Sequence, residues 1–104
     1  MKNGDIFIVT LDPAIGSEQS KTSPCVIIST DIVNDYAKTV TIAPLSHTIR
    51  EKPFQFHVRI GDGTCKVEQL RTVDKSRLVT KVGHLSQNQL SSIKRALALY
   101  FDLA

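Results

Sequence analysis

The sequence predicts a mainly β fold of the α+β class, a small and strongly bent antiparallel sheet or half-open barrel with one C-terminal α-helix. Short runs of β-branched and aromatic residues recur along the chain, and Gly, Pro, Asn and Asp separate them. Helical spacing of apolar residues is confined to the C-terminal segment. A chain of 104 residues has room for one core, so we expect a single domain over 1–104.

The first two predicted strands flank a long polar loop. Residues 6–11 are β-branched and aromatic, and Asp12-Pro13 ends that strand because proline removes a ladder donor. The loop spans 12–23. The next strand, Cys25 to Thr30, opens with an unbroken apolar run, which is typical of a strand buried on both faces. Cys25 is therefore interpreted as a small buried hydrophobe rather than a nucleophile.

The middle of the chain predicts further strands. A polar connection over 31–36 leads into a half-buried strand over 39–45. Residues 54–60 alternate with a period of two, and a glycine turn follows at 61–63. The alternation predicts that Phe54, Phe56, Val58 and Ile60 face inward and that Gln55, His57 and Arg59 face outward.

Strands over 64–70 and 77–84 are predicted next, and a helix then ends the chain. Ser86 and Gln89 have the spacing of a capping box. The apolar residues that follow recur at helical intervals: Leu90, Ile93, Leu97, Tyr100 and Phe101. This apolar surface exceeds what a small barrel needs, which predicts a two-fold dimer interface.

Composition limits the functional classes. The 41% apolar and 22% charged fractions are those of an ordinary globular protein, and no apolar run reaches the ~18 residues of a membrane span. The N-terminus lacks the pattern of a signal peptide, which predicts a cytoplasmic protein. The two cysteines have no zinc-ligand spacing, so we expect thiols and no metal or cofactor. A net charge of +3 favours a polyanionic partner.

Two polar segments carry the side chains that could perform chemistry. RNA can be cleaved without a metal if a protein deprotonates a 2′-hydroxyl, stabilises the charge on phosphorus and protonates the leaving oxygen. Such a site needs a carboxylate, a cation and hydroxyl or amide donors. These groups occur as Ser17, Glu18, Gln19, Lys21 and Ser23 in the first segment, as Lys66, Glu68, Gln69 and Arg71 in the second, and as Ser46 and His47 between them.

These segments resemble the MazF/PemK (Kid) family of toxin endoribonucleases. The resemblance rests on Asp12-Pro13, on Gly16 to Pro24, on Val40 to Leu45 and on Val67 to Asp74, in that order and spacing. It implies an SH3-like barrel of the CcdB/PemK type with five to seven short strands. It also implies a type II toxin, an mRNA interferase that cleaves single-stranded RNA without a metal. The implied partners are a second copy and a MazE-like antitoxin with an extended acidic segment; DNA binding by the toxin alone is not expected.

The resemblance also assigns site residues by position. The catalytic arginine of the family corresponds to Ser23 and its catalytic threonine to Ser46, while Glu18 matches an acidic residue that is important in some members. Glu68 and Lys66 match the acid and basic positions proposed for the Kid branch, although Ser17 stands where that branch has histidine. Serine cannot supply the fixed charge and five donors of arginine, so we expect slow cleavage with RNA binding retained.

Several alternatives remain at this level. The fold could serve as a silent module that binds RNA or antitoxin, or as a CcdB-like gyrase poison, although the absence of tryptophan disfavours the latter. Glu68 and Arg71 could form a strand-end ion pair of small energy. His57 and His84 are predicted to be solvated or locally hydrogen-bonded, whereas His47 adjoins Ser46 and is a candidate for contact with RNA.

Overall fold

Seven strands and two α-helices follow one another along the described part of the chain, which comprises residues 1–11, 21–46 and 56–103 of the computed structural model. Two short 3-10 turns, Val67–Gln69 and Lys75–Arg77, interrupt the second half. The elements are β1 (Asp5–Thr10), β2 (Thr22–Ile27), α1 (Asp31–Tyr36), β3 (Thr39–Ser46), β4 (His57–Ile60), β5 (Gly63–Lys66), β6 (Arg71–Asp74), β7 (Leu78–His84) and α2 (Gln87–Tyr100).

All the strands pair antiparallel, in the order β4-β5-β3-β2-β1-β7, and β6 also pairs with β3. One edge of β3 contacts β2, while its other edge pairs with β6 over 39–42 and with β5 at 45–46. Within the described residues the terminal strands β4 and β7 do not pair with each other. The predicted antiparallel fold is therefore confirmed, as an unclosed sheet.

Apolar side chains are buried on both faces of this sheet. We call the side beneath α2 the helix face, and the opposite side the far face. The buried helix-face cluster contains Val26, Ala43, Cys65, Val67, Leu85, Leu90, Ile93 and Ala96. The far-face cluster contains Val9, Cys25, Ile27, Val40, Ile42 and Val73. The prediction that the second strand is buried on both faces is confirmed, because Cys25, Val26 and Ile27 are all completely buried.

The boundaries of that strand and the predicted connection after it need correction. β2 begins at Thr22 and ends at Ile27, so Ser23 lies in the strand rather than in the loop. Residues 31–36 form α1, which begins after the N-cap Thr30. Its Asn34 is buried, donating to the Ser29 carbonyl at 3.0 Å and accepting from the Ser29 hydroxyl at 2.5 Å. These contacts with Ser29, two residues after β2, favour a helix over 31–36. The composition of that segment indicates only a polar connection.

The prediction of one strand over 64–70 is also wrong. β5 ends at Lys66, and the chain makes the turn Val67–Gln69 before β6 begins. Leu70 donates its amide to the Val67 carbonyl at 3.1 Å, which closes the turn. The two short strands pair with separate stretches of the same β3 edge, so the turn carries the chain past the residues between them. The strand predicted over 54–60 begins only at His57, because Phe56 lies in a turn, and the predicted positions Phe54 and Gln55 lie outside the described residues. The strand predicted over 77–84 starts one residue later.

The capping box of α2 is present as predicted. Gln89 donates its amide to the Ser86 hydroxyl at 3.2 Å, and the Ser86 amide donates to Gln89 Oε1 at 2.9 Å. Leu90 and Ile93 pack into the helix-face core, whereas Tyr100 keeps 42% of its surface exposed. The chain itself therefore buries only part of the apolar stripe of α2. Neither described helix is long and apolar enough to cross a membrane.

A buried carboxylate joins the N-terminus to the last strand. Asp5 is 2% exposed and accepts hydrogen bonds from the Lys2 amide at 2.8 Å and from His84 Nδ1 at 2.6 Å, while Lys81 Nζ lies 3.2 Å away. Burial alone would raise the pKa of Asp5, but the bonds from His84, Lys2 and Lys81 outweigh it and lower the pKa. His84 is therefore a local hydrogen-bond residue, one of its two predicted roles.

The Asp5 network predicts acid-sensitive stability. Asp5→Asn should lower the free energy of unfolding by about 1–3 kcal/mol at neutral pH, because it weakens the hydrogen bonds of a buried charge. The folded pKa lies below the ordinary value of 3.8, so the charge stabilises the fold above that pH and loses its effect as pH falls through the folded pKa. Urea denaturation should show the two proteins converging in acid. Asp62→Asn, in an exposed turn, is the control, and an Asp5→Asn deficit that is constant across pH would contradict the account.

Candidate nucleic-acid interface

The far face changes from apolar to polar at the end of the β2–β3 ladder. Cys25 pairs with Pro44, and the same register carried two residues further brings Ser46 level with Ser23. Both serines are half-buried. Paired residues of an antiparallel ladder share a face, and alternate residues along a strand do so as well. Since Cys25 belongs to the far-face core, the two serine hydroxyls lie on that side of the sheet.

A third hydroxyl joins them from β5. Thr64 pairs with Ser46 on one side and with Arg59 on the other, and only 8% of its surface is exposed. The neighbouring pair of Leu45 with Cys65 belongs to the helix-face cluster, so Thr64 alternates to the far face. We call Ser23, Ser46 and Thr64 the hydroxyl cluster. The structure thus brings together three donors from three strands.

Cations border this cluster on the same face. Arg71 pairs with Ile42 of the far-face core, and Lys66 pairs with His57 on the edge strand. We call Arg59, Lys66 and Arg71 the basic rim. Arg59 donates from Nε to the Gly61 carbonyl at 3.3 Å and is exposed, as the alternation predicts. Hydroxyls next to guanidinium and ammonium groups suit the binding of phosphate oxygens.

The predicted carboxylate Glu68 is held by a histidine. His57 Nε2 lies 2.7 Å from Glu68 Oε1, and the two side chains are only 6% and 21% exposed. His57 is therefore a local hydrogen-bond residue, one of its two predicted roles, because the turn Val67–Gln69 folds Glu68 against it. The alternative in which Glu68 pairs with Arg71 is wrong. The second oxygen, Glu68 Oε2, is buried and has no hydrogen-bond partner among the described residues.

The two residues that flank 12–20 are hydrogen-bonded to each other. Leu11 donates its amide to the Lys21 carbonyl at 3.0 Å. Arg77 Nη1 also donates to the carbonyls of Thr10 and Leu11, each at 3.2 Å. Lys21, whose carbonyl accepts the bond from Leu11, is exposed and lies two residues before Ser23 in the sequence. The predicted site residues Ser17, Glu18, Gln19 and His47 lie outside the described residues.

The two cysteines are not suited to nucleophilic chemistry. Burial raises the pKa of Cys25 to about 11, although the positive charge of Arg71 acts in the opposite direction. Burial, together with the nearby Cys25 and Glu68, raises the pKa of Cys65 to about 12. Both residues are free thiols at neutral pH. In the described part of the chain, no group of three or more His, Cys, Asp and Glu side chains is placed to hold a metal ion.

Comparison with known proteins identifies the family. The model of the PemK-like, MazF-like toxins of type II toxin–antitoxin systems matches residues 2–101. The chain belongs to this family. It is 32% identical to the endoribonuclease EndoA of Bacillus subtilis over 111 aligned positions, which cover 99% of this chain and 96% of EndoA. It is 33% identical to the endoribonuclease MazF of Staphylococcus saprophyticus, with 99% and 92% of the two chains covered.

The fold agrees with that assignment. A MazE–MazF crystal structure from Deinococcus radiodurans superposes with a TM-score of 0.82 and 19% identity, covering all of this chain and 97% of the matched one. The unclosed antiparallel sheet with a C-terminal helix is therefore the fold of MazF toxins.

The structure places the predicted toxin-site residues in two groups. Ser23, Ser46, Lys66 and Arg71 share the far face, whereas Gln69 is exposed in the turn beside Glu68. Thr64 and the pairing of His57 with Glu68 were not predicted as parts of the site. The alternation over 54–60 predicts which face of the sheet Arg59 lies on. It cannot predict that Thr64 is its partner on the neighbouring strand, because that depends on the register of the two strands.

Gly63 controls how closely β5 approaches Ser46. A Cβ at Gly63 would lie 2.7 Å from the Ser46 carbonyl oxygen, whereas a Cβ at Gly61 meets nothing within 4 Å. Gly63→Ala should move the Ser46 backbone and cost about 1–3 kcal/mol of unfolding free energy. Gly61→Ala should cost about 1–2 kcal/mol through its positive φ alone and leave Ser46 in place. Amide NMR shifts of Ser46 and Thr64 distinguish the two; unchanged shifts in Gly63→Ala would refute the steric account.

The buried thiols predict low reactivity. At mildly alkaline pH, Cys25 and Cys65 should each react at least ~100-fold more slowly with a thiol-specific reagent in the folded protein than in urea. The reason is that the fraction of thiolate falls tenfold for each unit by which the pKa rises. Mass spectrometry of alkylated peptides measures both sites. Fast modification of either thiol in the native state would contradict the described burial.

Proposed function

We propose that this chain is the toxin of a type II toxin–antitoxin pair, an endoribonuclease that cleaves single-stranded mRNA sequence-selectively without a metal, and that it cleaves slowly because residue 23 is serine. The observation that carries the proposal is the hydroxyl cluster beside the basic rim on one face of the sheet. The family membership of the chain, and the endoribonuclease names of two relatives at about a third identity, support the same activity.

The proposed reaction is attack of a ribose 2′-oxygen on the adjacent phosphorus with departure of the 5′-oxygen. The Ser46 hydroxyl, at the position that matches the family's catalytic threonine, donates to a non-bridging phosphate oxygen. Glu18 is the preferred base, because His57 occupies one oxygen of Glu68 and most of that side chain is buried. The proposed RNA contacts are Ser17, Gln19, Lys21, His47, Lys66, Gln69 and Arg71. Glu68, which was predicted as a base or an RNA contact, positions the turn that carries Gln69.

A single-stranded substrate suits an exposed polar face. Unpaired bases can be turned toward the protein and hydrogen-bonded on their edges, whereas an A-form duplex hides them. The basic rim neutralises phosphates without reading sequence. Base preference therefore depends on side chains that flank the hydroxyl cluster.

An antitoxin and a second copy are the proposed protein partners. The MazE–MazF structure from Deinococcus radiodurans contains both proteins of such a pair. An extended acidic antitoxin segment would cross the basic rim and compete with RNA for it. Exposed apolar side chains remain at the end of α2, where Leu99, Phe101 and Leu103 are 52%, 51% and 76% exposed. Their burial in a homodimer would complete the apolar stripe of the helix.

Ser23 also supports a second candidate function. With neither the charge nor the fork of arginine, the same face could bind RNA or antitoxin without turnover. The two candidates differ only in measurable cleavage, so a ribonuclease assay on the native chain separates them. Cleavage of single-stranded RNA that persists in EDTA supports the slow enzyme; binding without cleavage supports the silent module.

Ser23→Arg should raise the cleavage rate by on the order of 100-fold, because one charged transition-state stabiliser contributes about 3 kcal/mol. Cleavage of a labelled single-stranded RNA under single-turnover conditions measures the change, and thermal melting confirms that the variant folds. Ser91→Arg is the matched control, since Ser91 is exposed on α2 and gains the same charge away from the far face. It should leave the rate unchanged.

Two outcomes would refute parts of the proposal. Equal and fast cleavage by the native chain and Ser23→Arg would show that residue 23 does not limit the rate. No RNA binding and no cleavage by either protein would refute the endoribonuclease assignment itself. If Ser23→Arg cleaves rapidly, Ser46→Ala in that background should slow it.

A further inference from the structure

We propose that Arg71 binds the same RNA phosphate as the hydroxyls of Ser23 and Ser46, and thereby supplies this site with its fixed positive charge. The inference rests on the proposed function, because it concerns the anion that the far face binds. It assigns to Arg71 the role of a phosphate-binding residue of the hydroxyl cluster, in preference to the other cations around it.

The ladder places Arg71 on the correct face and on the strand that leads to Ser46. Arg71 pairs with Ile42 of β3, and Val73, two residues further along β6, belongs to the far-face core. Ser46 lies four residues beyond Ile42 on the same strand and therefore on the same face. The guanidinium and the two hydroxyls thus border one continuous surface.

Arg71 also lies close enough to β2 for its charge to act on a far-face side chain. Cys25 pairs with Pro44, which lies between Ile42 and Ser46 on β3. Burial raises the pKa of the Cys25 thiol, and the positive charge of Arg71 acts in the opposite direction.

The remaining distance fits one phosphate group. Four strand residues span about 13 Å. An extended arginine side chain covers roughly half of that span, and a phosphate that accepts two hydrogen bonds of about 2.9 Å fills the rest. A guanidinium on one side and serine hydroxyls on the other can then hold different oxygens of one anion.

The Arg71 guanidinium is also available for a ligand. Within residues 1–11, 21–46 and 56–103, no hydrogen bond or ion pair engages it, and the residue is exposed. Arg59 instead donates to the Gly61 carbonyl. Lys21 lies on the other side of Ser23, next to the 12–20 segment, and offers a flexible point charge without a fork. Lys66 is likewise a point charge without a fork. Arg71 is thus the rim cation whose fork is not engaged within the described residues.

Binding of a non-cleavable RNA tests the assignment. The probe is a fluorescent single-stranded 2′-O-methyl RNA of random sequence, and anisotropy titrations at several salt concentrations give both the affinity and its salt dependence. Arg71→Gln should weaken binding about tenfold and reduce the slope of log affinity against log salt by ~0.7, the value for one lost contact to a single strand. Arg95→Gln, which removes the same charge from an exposed position on α2, should change affinity less than twofold.

Two further variants separate phosphate binding from a structural role. Arg71→Lys keeps the charge, so it should retain the native salt slope and lose less affinity than Arg71→Gln. Ser23→Arg combined with Arg71→Gln should recover most of the lost affinity, because a cation at position 23 would serve the same phosphate. Thermal melting of every variant verifies folding.

The outcomes distinguish the two levels of inference. Native protein that binds no RNA refutes the proposed function and this assignment with it. Native binding that Arg71→Gln and Arg95→Gln weaken equally overturns the assignment alone. Equal losses in Arg71→Lys and Arg71→Gln with an unchanged salt slope indicate a structural role and also overturn it. A tenfold loss in Lys21→Gln with none in Arg71→Gln transfers the role to Lys21, against the proposal.

Discussion

The antiparallel pairing of β2 with β3 is the constraint on which the rest of the structure depends. Cys25 and Ile27 face one core while Val26 faces the other, and all three are completely buried. A shift of one residue would exchange the faces of every side chain on β2. It would bring Ser23 to the helix face and would take Ile27 out of the far-face core. Burial of both faces therefore fixes the register, and the register fixes which polar residues meet where the core ends.

The candidate site lies where that burial stops. Far-face positions along β2 and β3 are apolar from Ile27 and Ile42 to Cys25 and then become polar. Ser23 remains paired with β1, and Ser46 remains paired with Thr64 of β5, so the three hydroxyls are carried by paired strands. Such support favours a precise arrangement of donors.

The carboxylates of the chain show how similar groups take different roles. Asp5 is buried and fully hydrogen-bonded, and it joins the N-terminus to β7. Glu68 has one oxygen bound by His57, and its other oxygen is buried with no partner in the part of the chain that the structure describes. An unpaired buried polar atom has a free-energy cost. The first carboxylate stabilises the fold, whereas the second holds the turn between β5 and β6 beside the basic rim.

The sequence by itself determined the features that depend on neighbours along the chain. The capping box of Ser86, the glycine turn at 61–63 and the strand buried on both faces were predictable, because local hydrogen bonds, backbone freedom and apolar runs produce them. Motif order also led to the prediction that Ser23 and Ser46 stand where the family has a catalytic arginine and a catalytic threonine. Only the tertiary structure decided that 31–36 is helical, that 64–70 is divided, and that Thr64 and Arg71 share a face with those serines. Such pairings join residues far apart in sequence, and the burial of the whole sheet selects among them.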